Sequence, residues 1–416
     1  MRNSRSVAAF CAVLLAAFAL PAVAGTNWTE KVLQSFNGRN GSAPYDGVIS
    51  DTAGNLYGTT DAGGKYGDGT VFKLKPPVGG KKAWTETVLF SFNGTNGEGP
   101  ESRLLFDGAG NLYGTTYDGG SSNLGTVFEL TPPGAGQKAW TETVLCSFDG
   151  TNGSHPLPLS GLIFDNAGNL YGTTGFGGLA TGGTVFKLAP PTPGQTVWTE
   201  TILFSFVTQK GGVEPEGTLV FDSAGNLYGT AGAGGKFSDG TVFELTPPAP
   251  GKTAWKGTVL RSFDRKDGWF PHTGVIFDIA GNLYGTTFQG GSAGGGTVFE
   301  LTPPSGGQTA WTENVLYNFG GLHGVDPSSG LIFDAAGNLY GATLNGGTGL
   351  LGTVFELSPP APGGTAWTET ELYSLPDTGD GEGLYTTLLG RANGTLYGTT
   401  YEGGTSNSGI IFQLTP

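Results

Sequence analysis

Phe106-Asp107-Gly108-Ala109-Gly110-Asn111-Leu112-Tyr113-Gly114-Thr115-Thr116 is the stretch that decides the fold. Its Gly-Asn-Leu-Tyr-Gly core starts at Gly54, Gly110, Gly168, Gly225, Gly281 and Gly337, and returns as Gly394-Thr395-Leu396-Tyr397-Gly398. The copies follow one another every 56–58 residues. Self-similarity at such a period marks a repeat architecture. Within the unit, a short apolar run (Leu162-Ile163-Phe164 in the third copy) precedes the Asp, and Leu-Tyr-Gly-Thr-Thr follows the Asn. The Asp-x-Ala-Gly between them fits a type I turn closed by a Gly at positive φ, the three-residue hairpin loop. The Asp accepts backbone N–H bonds two residues on, and the Gly takes the left-handed position without a Cβ clash. A ring of repeated Asp would also suit calcium, but turn chemistry alone demands Asp here. The last copy carries Arg391 for the Asp and Asn393 for the Ala. That change would break a metal ring and only weaken a turn.

Working outward, each unit holds four strands. The Trp strand, Trp28 to Phe36, recurs from Trp84, Trp140, Trp198, Trp255, Trp311 and Trp367. The Thr-Val-Phe strand, Gly69 to Leu74, recurs through Gly409 to Leu414. Pro-Pro-Gly and Asn-Gly connections separate the strands, and no helical period is present. Four strands in each of seven units predict an all-β, seven-bladed β-propeller of antiparallel blades. The chain opens on a lone Trp strand and closes on a unit that lacks one. The first strand is therefore predicted to complete the last blade and hide both open edges. The repeated Trp is expected to pack between blades rather than to form a glycan platform. An open solenoid is the rival architecture, and it gains nothing from the split unit.

Residues 1–24 read as a secretory signal peptide: Arg2 and Arg5, the apolar stretch Val7 to Leu20, and Ala22-Val23-Ala24 before a cleavage point. The domain is then 25–416, a monomer released to the exterior or periplasm. No hydrophobic tail or sorting signal follows Leu414-Thr415-Pro416, and no membrane span is expected in the mature chain. Acidic residues outnumber basic ones by 34 to 20, a net charge of −14, which argues against nucleic acid and anionic membranes as partners. Only Cys146 lies outside the leader, so no intrachain disulfide is expected. It occupies the slot of Phe90, Phe204 and Tyr317 and reads as a strand residue.

The string Phe-Asp-x-Ala-Gly-Asn-Leu-Tyr-Gly-Thr-Thr, followed by Gly-Thr-Val-Phe-Glu-Leu-Thr-Pro-Pro and Ala-Trp-Thr-Glu-Thr-Val-Leu, resembles the secreted tandem-repeat proteins called choice-of-anchor GloVer repeats. The resemblance covers essentially the whole mature chain. It implies secreted or surface proteins with differing anchors, and implies no activity and no catalytic residues.

In a propeller the loops before the innermost strand and those between the second and third strands share the mouth of the central channel. Each loop before the innermost strand ends in Pro: Pro44, Pro100, Pro158, Pro215, Pro271 and Pro327, with Leu384 in the last unit. The next residue does not repeat: Tyr45, Glu101, Leu159, Glu216, His272, Ser328 and Tyr385. A second varied ring reads Asp61, Tyr117, Gly175, Gly232, Phe288, Leu344 and Tyr401. Tyr45, Glu101, Glu216, His272 and Tyr385, with Asp61, Tyr117, Phe288 and Tyr401, are the candidate ligand-binding residues. They could bind a polar ligand, a sugar or a peptide; ordinary solvated loop tips are the bland alternative. His155, His272 and His323 all precede innermost strands but share no ligand spacing, so no metal or cofactor is expected, with calcium the ion left open. No catalytic motif is present. Glu101 and Glu216 facing each other would suit a glycosidase, and His272 beside Glu216 a lyase. The leading reading is an extracellular binding module for an unidentified protein or carbohydrate. An extracellular enzyme and a structural surface protein stand behind it.

Overall fold

The computed structural model describes residues 28–416 except 81, 193, 208, 307, 309, 378 and 380. The expected signal peptide lies outside the described residues. Blade 1 runs strand A (Ile49–Ser50), B (Leu56–Thr60), C (Thr70–Lys75) and D (Thr85–Ser91), each antiparallel to the next. The same order recurs round a seven-bladed propeller. In blade 6 the A strand comes in two pieces, Val325–Pro327 and Ile332–Phe333. The last blade is completed by the first strand. Thr29–Ser35 pairs with Ile410–Thr415, from Thr29 against Thr415 to Ser35 against Ile410. Among the described residues no helix is long and apolar enough to cross a membrane.

The hairpin rests on its Asp. Asp107 Oδ1 accepts the N–H groups of Ala109 (2.9 Å) and Asn111 (2.8 Å). Its Oδ2 accepts Asn111 Nδ2 (2.7 Å) and the Tyr113 hydroxyl (3.3 Å). Asp51, Asp165, Asp222, Asp278 and Asp334 make the same four bonds. Gly110 closes the turn at φ 87°, where a side chain would be strained. In blade 7 the Arg391 guanidinium instead lies over the Tyr397 ring, 5.8 Å from its centroid.

Gly114 is fixed by packing rather than by φ. A Cβ there would meet the Phe128 ring of strand C at 2.6 Å. Because Phe128 lies across its own sheet, each core forms between blades. Tyr57, Val71 and Phe92 of blade 1 pack on Leu104, Leu112, Phe128 and Leu130 of blade 2, with Trp140 alongside. The interface between blades 7 and 1 follows the same plan, with Phe36 and Ile411 on Leu56 and Phe72. The Trp side chains belong to these interfaces. Trp198 meets Tyr113 of the preceding blade at 6.2 Å, and Trp367 meets Tyr284 at 6.3 Å. Cys146 pairs with Val127 as Phe90 pairs with Val71, and burial pushes its thiol pKa up, leaving it protonated.

Candidate functional site at the channel mouth

The two varied rings share one end of the propeller because the loops that carry them pair. The N–H of Asp61 donates to the Ala43 carbonyl (3.0 Å), Tyr117 to Gly99 (2.9 Å), Phe288 to Phe270 (3.0 Å) and Tyr401 to Gly383 (2.9 Å). The residue before each loop-ending Pro is left-handed: Ala43, His155, Glu214, Phe270 and Asp326 hold φ of 57°, 50°, 58°, 59° and 59°. Such φ is uncommon for residues with a side chain. Here each of their N–H groups bonds a carbonyl of the preceding blade: Ser408, Leu124, Gly182, Asp239 and Gly295 respectively. These strained residues clamp the mouth from blade to blade and aim the residues after them.

This geometry corrects the sequence register in blade 3. The Cδ atoms of Pro44, Pro100, Pro156, Pro215, Pro271 and Pro327 each face the Gly that precedes strand C of the neighbouring blade. Pro156, not Pro158, is the equivalent proline, and Leu157 takes the ring position against Gly175. The loop is longer by the Pro158-Leu159 pair, and a second Pro disguised the alignment. Leu159 is buried and lines the channel below. Ser328 is also buried, its Oγ donating to the Leu384 carbonyl.

The remaining ring residues fall into three groups. In the first, Tyr45 stacks on Tyr385 with centroids 4.4 Å apart, and Tyr401 meets Tyr45 edge-on at 5.6 Å and Tyr385 at 6.0 Å. Burial raises the Tyr45 hydroxyl pKa, and the neighbouring acidic groups of Tyr385, Glu101, Glu216 and Tyr401 raise it further. Beside this cluster lies a cavity of about 280 Å³ lined by Tyr385, Tyr401, Glu382, Glu402, Leu344 and Asn345.

The second group is acidic. Glu101 and Asp61 hydrogen-bond to each other through their carboxyls. Burial, then the Asp61 charge, pushes Glu101 up to about 9, so near neutral pH the pair holds one proton between its carboxyls. Glu101 Oε2 is buried without a hydrogen-bond partner. Asp118 stands nearby and also meets His155 Nε2 at 3.2 Å, while the His155 ring lies 4.9 Å from Tyr117.

The third group is aromatic and partly buried. His272 sits 4.9 Å from Phe288 and 5.3 Å from Phe270, centroid to centroid. Burial lowers its pKa to about 4, which keeps the imidazole neutral, and its Nε2 has no partner. Glu216 is buried, and its carboxyl pKa is raised first by burial and then by the Glu214 charge. It lies beside Phe270 over Gly232.

The structure thus couples Glu101 to Asp61, across the two rings, where the sequence paired Glu101 with Glu216. The three histidines do not converge: His323 meets Glu369 at 3.6 Å, away from the other two. Among the described residues no three His, Cys, Asp or Glu side chains gather as a metal ion would require. Sequence reasoning missed Phe270, Glu382 and Glu402. Each lies within three positions of a chosen ring residue, and the pairing of the two loops brings it to the mouth.

The fold and its mouth define a class: a closed propeller built from tandem repeats, each blade contributing one residue to each of two variable rings. The chain belongs to the Gloeobacter/Verrucomicrobia repeat family, whose profile matches residues 18–200, 138–257 and 222–416. No curated protein matches it. Solved structures similar to it include two of low sequence identity. One is the extracellular domain of a provisionally assigned one-component system of B. thetaiotaomicron, with 9% identity over 92% of this chain and a TM-score of 0.54. This chain spans 39% of that one, and the likeness is of fold. The other is a provisionally assigned oxidoreductase (glucose dehydrogenase) of Thermus thermophilus, with 16% identity over 76% of this chain and 96% of that one, at a TM-score of 0.43.

Proposed function

We propose that this propeller is a secreted binding module that takes a neutral carbohydrate at the channel mouth, in the cavity beside the tyrosine cluster. The observation that carries the reading is the cavity walled by Tyr385 and Tyr401, with Glu382 and Glu402 at its side. Aromatic faces cover the C–H face of a sugar ring, and carboxylate oxygens accept hydrogen bonds from its hydroxyls. The basic start and apolar run of residues 1–24 supply the secretory address.

Acid–base catalysis fits the same residues less well. A glycosidase needs two carboxyl groups driven to opposite protonation states. Burial raises Glu101 and Glu216 in the same direction rather than driving them apart. Binding to soluble oligosaccharides, compared between the unaltered chain and Tyr385→Ala/Tyr401→Ala, tests the reading. Affinity lost in the variant supports it. Release of reducing sugar by the unaltered chain would replace it with the enzyme reading.

A further inference from the structure

We infer that the central channel, below the mouth, is a second binding site that holds an apolar carboxylate on the Arg103 guanidinium. The channel contains a cavity of about 400 Å³, within the roughly 300–1,000 Å³ usual for small-molecule sites. Its walls are largely aliphatic, with Leu105, Ile276 and Ile332 among them. Arg103 is the one charged side chain among its described lining residues.

The repeat itself marks this residue as a departure. In the other six units the equivalent position, third after the Pro or its substitute, is small: Gly47, Thr218, Gly274, Gly330 and Thr387, with Gly161 in the shifted blade 3. Blade 2 alone puts a long cation into the channel. A purely packing role would pair it fully, and it is not so paired. Its Nη2 reaches the Val48 carbonyl only at 3.4 Å, and its Nε is buried with no partner. Among the described residues no carboxylate oxygen comes within 4.0 Å of it. Asp46 supplies a negative charge nearby, but its Oδ1 is taken by the N–H groups of Gly47 (2.6 Å) and Thr387 (3.1 Å).

A guanidinium presents five N–H donors in a planar fork that matches a carboxylate. A donor left unmade in an apolar wall costs free energy that such a ligand would recover. The aliphatic lining selects the rest of the ligand. A sugar would leave hydroxyls unpaired there, whereas a hydrocarbon body gains by leaving water. The chemistry specified is one carboxylate on an aliphatic body, distinct from the polyhydroxylated ligand proposed for the mouth.

The test is calorimetric titration of the unaltered chain with octanoate, with octanol and sulfate as controls, repeated on Arg103→Gly and Arg103→Gln. Glycine is already present at this point in other blades, and glutamine keeps the bulk should the glycine variant fold poorly. Octanoate is expected to bind at one site and to lose at least about tenfold in affinity in either variant that melts cooperatively. Tyr385→Ala/Tyr401→Ala should leave that affinity unchanged, which separates this site from the mouth. Absence of octanoate binding, equal affinity in the Arg103 variants, or sulfate binding as tightly as octanoate would overturn the inference.

Discussion

Tyr45 and Tyr385 stack face to face at 4.4 Å although they lie near opposite ends of the chain. The contact exists because the ring closes between the last blade and the first. Tyr45 follows the strand that completes blade 7, and its loop bonds back to that blade through Ala43 N–H and the Ser408 carbonyl (2.9 Å). Site and closure are therefore one structure, and a change at either reaches the other.

Removing Trp28 to Phe36 should unzip the propeller. The deletion strips Ile410–Thr415 of its partner strand and empties Phe36 and Leu33 from the core between blades 7 and 1. Differential scanning calorimetry should show the single cooperative transition replaced by a broad one. An unchanged transition would mean that the blades are stable as an open array.

The hairpin Asp predicts a local loss of stability without metal dependence. Asp107→Ala leaves the Asn111 side chain and two N–H groups without their acceptor, while the Tyr113 hydroxyl keeps Glu129 Oε1 at 3.1 Å. A cost of about 1–3 kcal/mol is expected by urea denaturation, the range for an orphaned hydrogen-bonding group. EDTA should leave the unaltered chain's midpoint where it was. A drop on chelation would place an ion at these turns.

Stability should fall as the pH rises from about 5 to 8. Burial pushes Glu142 and Glu313 up to about 7, against 4.5 when unfolded, and Glu86, Glu200 and Glu369 are raised for the same reason. Each of these five has a buried Oε1 with no partner. The folded chain thus keeps protons that the unfolded chain releases. The contribution of Glu142 and Glu313 is full below about pH 4.5 and lost as the pH rises through 7; that of Glu101 persists until about 9. His272 works the other way, being about 4 folded against 6.5 unfolded, so its contribution is lost on acidification. The carboxyls outnumber it. Melting temperatures measured across this range should decline, and Glu142→Gln/Glu313→Gln should flatten the decline. A melting temperature that climbs toward pH 8 would contradict the account.

Much of the fold was legible because each local signal recurs. Asp107, Gly110 and Gly114 have one job each, and the next copies repeat it, so the hairpin, the blade order and the closing strand follow from one reading. The mouth was legible only as two rings of variable residues. That Tyr45 would stack on Tyr385 depends on ring closure, a relation between chain ends that no local pattern encodes. The partnership of Asp61 with Glu101 crosses from one ring to the other and depends on how two neighbouring blades meet. The register of blade 3 differs from the sequence reading because Pro158 imitates Pro156; the left-handed His155 before Pro156 and the Pro156 Cδ against Gly125 distinguish them.

The most direct test of the binding account is a thermal-shift titration with cello-, xylo- and manno-oligosaccharides, run on the unaltered chain and on Tyr385→Ala/Tyr401→Ala. A ligand that binds only the folded state raises the melting temperature by mass action. The account predicts a saturable rise with at least one series in the unaltered chain and none in the variant. No rise with any series, or an equal rise in both proteins, would contradict a carbohydrate site at the channel mouth.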